Sequence, residues 1–127
     1  MDGFLDELDQ AWLTVDFGHG VTDFLIDTGF AGGLIIGEEL FDPSQGTSAG
    51  HIDAELAAGQ HYRYPTFDIE FTWFEVPLRI GVLVGPGKEC LIGTYLLAPH
   101  HLDIDYEQRT VRLFPGSSWR WMAEPAT

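Results

Sequence analysis

The segment Phe24–Leu40 reads FLIDTGFAGGLIIGEEL, and it constrains the fold more than any other stretch of the chain. An apolar run ends on Asp27, the chain breaks at Thr28-Gly29, and a second apolar run follows at Leu34-Ile35-Ile36. Runs this short suit strands. A carboxylate at the end of an apolar strand is expensive to desolvate. Two local readings are open. Asp27 caps a solvated turn in which Gly29 takes a positive φ, or the fold holds a charge there for chemistry. The tripeptide alone does not decide, because three residues recur by chance.

The rest of the chain narrows the choice. At 127 residues, with 45% hydrophobic and 13% aromatic side chains, it supports one globular domain around one core. Twenty acidic against six basic residues give a net charge of −14, which argues against a phosphate-backbone partner and so against nucleic acid. Cys90 is alone, so no intramolecular disulfide forms and a reducing compartment is expected. The N-terminus, MDGFLDELDQ, lacks the basic-then-apolar pattern of a secretory signal. No apolar run approaches the roughly 20 residues that span a bilayer. A cytoplasmic protein with no membrane partner is the expectation.

Read in order, residues 1–10 look like an acidic tail, 11–115 a single domain and 116–127 a short C-terminal tail. WLTVDF and VTDFLID flank a Gly-rich turn at residues 18–20 and read as a hairpin. Glu38 to Phe41 suggests one helical turn, with Glu38 and Glu39 near its positive end, and Asp42 to Gly50 a loop. Phe67 to Trp73 alternates apolar and polar residues, as a strand with one wet face does. Val76 to Val84 reads as its partner, although no Asn-Gly or Asp-Gly marks the turn. Pro77 suggests an edge position or a strand start. Leu91-Ile92-Gly93 is a short strand, Thr94 to Leu97 a helical turn, and LDIDYEQRTVRLF a closing hairpin. The sum is a mostly β domain of many short strands, barrel-like or sandwich-like.

Three segments, FLIDTG, GLIIGEEL and CLIGTYLLAPHHLDIDYEQRTVRL, together resemble the single-domain, retropepsin-like aspartic peptidases, over about Trp12 to Phe114. In that family an apolar strand delivers Asp-Thr/Ser-Gly, and a later apolar pair followed by Gly packs beneath it in a ψ-shaped loop. Viral members usually place Ala after Asp-Thr-Gly. This chain has Phe30, as small bacterial relatives do, and a large ring there occupies space beside the loop. The resemblance implies a closed β-barrel of the acid-protease fold with one or two short helices and one half-site per chain.

It also implies a mechanism. Two carboxylates about 3 Å apart cannot both ionise, so they share a proton. One activates a water and the other polarises the scissile carbonyl. The chain has one Asp-Thr-Gly, so the second aspartate comes from another copy in a symmetric homodimer. By matching position, Asp27 is the catalytic carboxylate and Thr28 bonds across the two-fold. Gly29 lets the backbone approach the carboxylates, and Ile92 and Gly93 support the loop. A flap is expected over His51 to Tyr64, with its tip at Ala57, Ala58, Gly59 and Gln60; an ordinary polar hairpin is the bland reading. No cofactor or metal is required, and the substrate is a peptide or protein. The charge of −14 opposes pairing, so tighter dimerisation and higher activity are expected below about pH 6 than at pH 8. A peptide-binding or assembly module on the same fold is the alternative, and an unrelated β-barrel ligand-binder a weaker one.

Other candidates read more plainly. His51, His61, His100 and His101 lack metal-ligand spacing and a Cys cluster. Asp103 and Asp105 alternate with Leu102, Ile104 and Tyr106, putting the acids on a wet face. Cys90 reads as a buried structural thiol. Gly85-Pro86-Gly87-Lys88 has the wrong spacing for a phosphate loop. Trp119 and Trp121 fit either packing on the domain or a dimer contact.

Overall fold

Period-two alternation turns most of this chain into strands, and the strands build one sheet that bends around one core. The computed structural model describes residues 1–17, 20–55 and 57–123. Its strands are β1 (Asp2–Leu5), β2 (Ala11–Asp16), β3 (Val21–Ile26), β4 (Leu34–Gly37), β5 (Gly46–Glu55), β6 (His61–Trp73), β7 (Val76–Gly85), β8 (Leu91–Ile92), β9 (His101–Asp105) and β10 (Thr110–Phe114). One short helix, α1 (Thr94–Leu97), follows β8. The hydrogen-bonded order is β5-β6-β7-β4-β8-β3-β2-β1-β10-β9. The ladder ends at β5 and β9, so it is open where a closed barrel was expected. It still encloses a core, because Leu13, Phe24, Leu34, Phe71, Trp73, Leu78, Ile92 and Leu113, from strands along most of the sheet, pack in one buried cluster.

The N-terminal segment departs from expectation. Residues 2–5 are not a solvated tail but a strand held on both sides, with Gly3 opposite Leu13 of β2 and Val111 of β10. The Met1 ammonium donates to the Leu113 carbonyl at 2.9 Å. The turn after β1 is tied by Asp6, whose carboxylate accepts from Leu8 N, Gln10 N and Trp12 Nε1. The Trp12 bond is the main reason its carboxyl sits below the usual range. At the other end, Trp119 is 3% exposed and belongs to the core, so the chain is still part of the packed domain at that residue. The side chain of Trp121 and the turn residues Gly18 and His19 lie outside the described residues.

Three local expectations also change, the first being the loop read over Asp42 to Gly50, from which Gly46 onward belongs to β5. Glu38 to Leu40 forms a turn and not a helix, with Leu40 N and Phe41 N both donating to the Gly37 carbonyl. Pro77 starts a strand but not at an edge, since β7 lies between β6 and β4. The β6–β7 hairpin closes on Phe74 and Glu75, both at positive φ (46° and 66°). Such a turn ordinarily selects Gly, Asn or Asp. Here the Phe74 ring packs against Trp73, His100 and Trp119, which offsets the backbone strain.

That aromatic group contains a titratable residue. His100 Nε2 faces the Trp73 indole N–H and Nδ1 faces the Gly116 N–H, each at 3.0 Å. A neutral imidazole can accept through one nitrogen and an imidazolium through neither. Among the described residues no carboxylate pairs with it, and burial holds its pKa below the ordinary 6.5. Because the folded pKa is depressed, the unfolded chain takes up this proton first as pH falls. The stabilisation is therefore complete above about pH 6.5 and is lost towards the folded pKa. In urea melts at pH 7.5 and pH 5, wild type is expected to lose more stability than His100→Gln; equal losses would remove His100 from the acid response.

Candidate active site

The site is built where three short strands meet. β8 runs parallel to β3, with Leu25 opposite Leu91 and Ile26 opposite Ile92, and antiparallel to β4, with Ile35 opposite Leu91 and Leu34 opposite Ile92. Main-chain bonds carry this pairing past the strand ends. Asp27 N donates to Ile92 O at 3.0 Å and Gly93 N to Gly33 O at 2.8 Å. Thr94 N donates to Phe30 O at 2.9 Å and Tyr95 N to Gly32 O at 3.3 Å. The turn from Asp27 to Gly33 is thus latched onto the start of α1.

Asp27 is half-buried at the end of β3, while Thr28 and Gly29 are exposed. Its Oδ1 accepts from Gly29 N at 2.9 Å, and its carbonyl accepts from Phe30 N at 3.2 Å. The turn-capping geometry therefore exists, but without the positive φ at Gly29 that the bland reading supposed. A Cβ on Gly29 would lie 3.3 Å from Asp27 Oδ1, so a side chain there would require the carboxylate to shift by a few tenths of an ångström. Beneath the turn, Ile92 is 0% exposed. Gly93 is fully enclosed, and a Cβ there would run into the carbonyl oxygens of Gly32 and Phe30.

The neighbouring strands contribute a feature that the residue-by-residue reading missed. Leu25, Leu91, Ile35 and Leu83 stand directly opposite one another across β3, β8, β4 and β7. All four are half-buried, whereas their sequence neighbours Phe24, Ile92, Leu34 and Val82 are in the core. Side chains alternate between faces, so these four form an apolar stripe on the face away from the core, and Asp27 lies two residues beyond Leu25. The sequence carried a signal for it. FLI, LII, VLV and CLI are uninterrupted apolar runs, which mark strands covered on both faces.

The expected flap segment forms the β5–β6 hairpin. His51 to Glu55 pairs with His61 to Pro65, and the chain turns at Ala57–Gly59, with Ala58 (φ 64°) and Gly59 (φ 75°) in left-handed conformations. Ala58, Gly59 and Gln60 are exposed at the tip; Leu56 lies outside the described residues. The hairpin is amphipathic. Ile52, Tyr62 and Tyr64 share one face, with the two Tyr rings 4.6 Å apart, and an exposed Arg63–Asp53 ion pair marks the other. Tyr64 reaches back towards the stripe: a Cβ on Gly85 would lie 3.7 Å from Tyr64 and 2.9 Å from Ile35.

The remaining candidates are dispersed. His51 and His61 are exposed on the hairpin, His101 is on edge strand β9, and His100 is in the aromatic group. Among the described residues no three His, Cys, Asp or Glu side chains converge as metal ligands. Leu102 and Ile104 face Leu113 and Val111, Asp103 is exposed, and Asp105 caps the following turn by accepting from Gln108 N. Tyr106 is 61% exposed and so does not join the buried face. Cys90 is 2% exposed, and burial pushes its thiol up. Residues 85–88 form a turn whose Gly85 and Gly87 carbonyls accept from Glu38 N and Glu39 N. No described helix is long and apolar enough to cross a membrane.

Comparison with known proteins places the fold. The chain matches no protein-family model and no curated protein. Among solved structures it is similar to a retropepsin-like aspartic protease from Rickettsia conorii, with a TM-score of 0.62 over 91% of this chain and 89% of that one. The two sequences are 16% identical, so the likeness is one of fold. The fold is mostly β and similar to that of this retropepsin-like protease.

Proposed function

We propose that this chain is one half of an aspartic endopeptidase, working as a symmetric homodimer in which each protomer supplies Asp27. The observation that carries this reading is the half-buried Asp27 carboxylate, fixed by Gly29 N–H at the end of an apolar stripe. The pair of carboxylates would share one proton, the ionised one deprotonating water and the protonated one polarising the peptide carbonyl. Thr28, exposed beside Asp27, would bond across the two-fold. Leu25, Ile35, Leu83 and Leu91 would receive apolar side chains of the substrate, and the β5–β6 hairpin, with its tip at Ala58, Gly59 and Gln60, would close over it. The fold likeness to an aspartic protease supports this reading. Neither metal nor cofactor takes part in the proposed chemistry.

The test is cleavage of a diverse peptide library, read by mass spectrometry between pH 4 and pH 8, with wild type and Asp27→Asn side by side. Cleavage is expected to be stronger below about pH 6 than at pH 8, in step with dimer formation, and to vanish in the variant. A folded wild-type dimer that cleaves nothing would overturn the reading in favour of a peptide-binding module on this fold.

A further inference from the structure

Phe30 follows the Asp27-Thr28-Gly29 turn directly, and its ring does not project as an unsupported wall of the cleft. It folds back onto two glycines distant from each other in sequence. A Cβ on Gly32 would lie 2.5 Å from the tip of the ring, and one on Gly93 would lie 2.5 Å from its flank. The ring thus fills the space that both glycines leave open at the junction between the turn and α1. The main chain of Phe30 is held at the same place. Its N–H donates to the Asp27 carbonyl at 3.2 Å, and its carbonyl accepts from Thr94 N at 2.9 Å and Thr94 Oγ1 at 3.3 Å.

From this we infer that Phe30 is a positioning residue for Asp27: its ring, packed against Gly32 and Gly93, sets the pitch of the turn that presents the carboxylate. The inference rests on the proposed peptidase reading for its kinetic consequence but not for its structural one. Phe30 is half-buried, but its ring occupies the room into which the turn would otherwise swing the carboxylate. Alignment matters here because a misplacement of about 1 Å at a reacting group can lower the rate on the order of 100-fold.

Phe30 variants separate positioning from plain packing. With a peptide found in the library screen, Phe30→Ala is expected to lower kcat about 10- to 100-fold while KM stays within about threefold. Phe30→Leu should recover much of the loss. Gly32→Ala should also be impaired, because its new methyl strikes the ring. The double variant Phe30→Ala/Gly32→Ala should be no worse than Phe30→Ala alone, since the clash is gone. Wild-type kcat in folded Phe30→Ala overturns the inference, and so does a loss confined to KM, which would put the ring in contact with substrate. If wild type cleaves nothing, the peptidase reading fails separately. The inference is then judged by the temperature coefficient of the Gly29 amide proton, whose N–H bonds the Asp27 carboxylate. A coefficient that moves to that of an unbonded, water-exposed amide in Phe30→Ala supports positioning, and an unchanged one overturns it.

Discussion

A heterodimer of one wild-type chain and one Asp27→Asn chain, isolated with two different affinity tags, is expected to lose on the order of 10⁴-fold in kcat and not half of it. The reason is the chemistry of a shared proton. An Asn amide can neither take a proton from water nor carry the acidic hydrogen that polarises the carbonyl. In the proposed dimer, a single Asn would leave the remaining carboxylate with no like charge beside it, so it would ionise fully and its acid partner would be missing. Two independent sites would behave differently, with the wild-type chain still turning over and half the activity retained. Steady-state kcat of the tagged heterodimer against the wild-type dimer, at the pH of highest activity, distinguishes the two, and half activity would sink the shared site.

The second large effect is expected from one added methyl. Gly93→Ala should lower stability by about 4 kcal/mol or more, read as the urea midpoint, against the roughly 5–15 kcal/mol typical of whole domains. The new Cβ would meet the carbonyl oxygens of Gly32 and Phe30 as well as the Phe30 ring. Those carbonyls cannot retreat without breaking their bonds to Tyr95 N and Thr94 N, which hold the Asp27 turn to α1. Gly29→Ala makes a useful contrast. Its Cβ would lie 3.3 Å from Asp27 Oδ1 and touches no backbone, so it should disturb the carboxylate while leaving the melt close to wild type. A wild-type midpoint for Gly93→Ala would mean that β8 and the turn do not pack as described.

What the sequence revealed depended on how local each cause was. The alternation from Phe67 to Trp73 announced the inner half of β6, because one face meets the core and the other water. The closing hairpin from Leu102 to Phe114 was legible for the same reason. β1 was not, because four residues including a glycine carry no period. It exists because β2 and β10 leave a slot between them, and Gly3 fits since any Cβ would strike the Trp12 carbonyl. The Phe74-Glu75 turn was hidden too, as its strain is offset by rings far away in sequence. At the candidate site, Asp27 stood out as a charge at the end of an apolar strand. The stripe of Leu25, Ile35, Leu83 and Leu91 did not, since an unbroken apolar run says that both faces are covered and not what lies over the outer one. The seat of the Phe30 ring requires Gly32 and Gly93 to meet, which only the fold arranges.

The capture of β1 between β2 and β10 also bears on how the protein would be controlled. Both edges of that strand are used within its own chain, so β1 is seated before the chain meets another copy. In the proposed peptidase, folding and switching on become separate events: a newly made chain is finished but idle, and catalysis waits for an encounter. At low concentration the number of working sites would rise with the square of the number of chains. Doubling expression would then raise turnover about fourfold, and dilution alone would silence the activity.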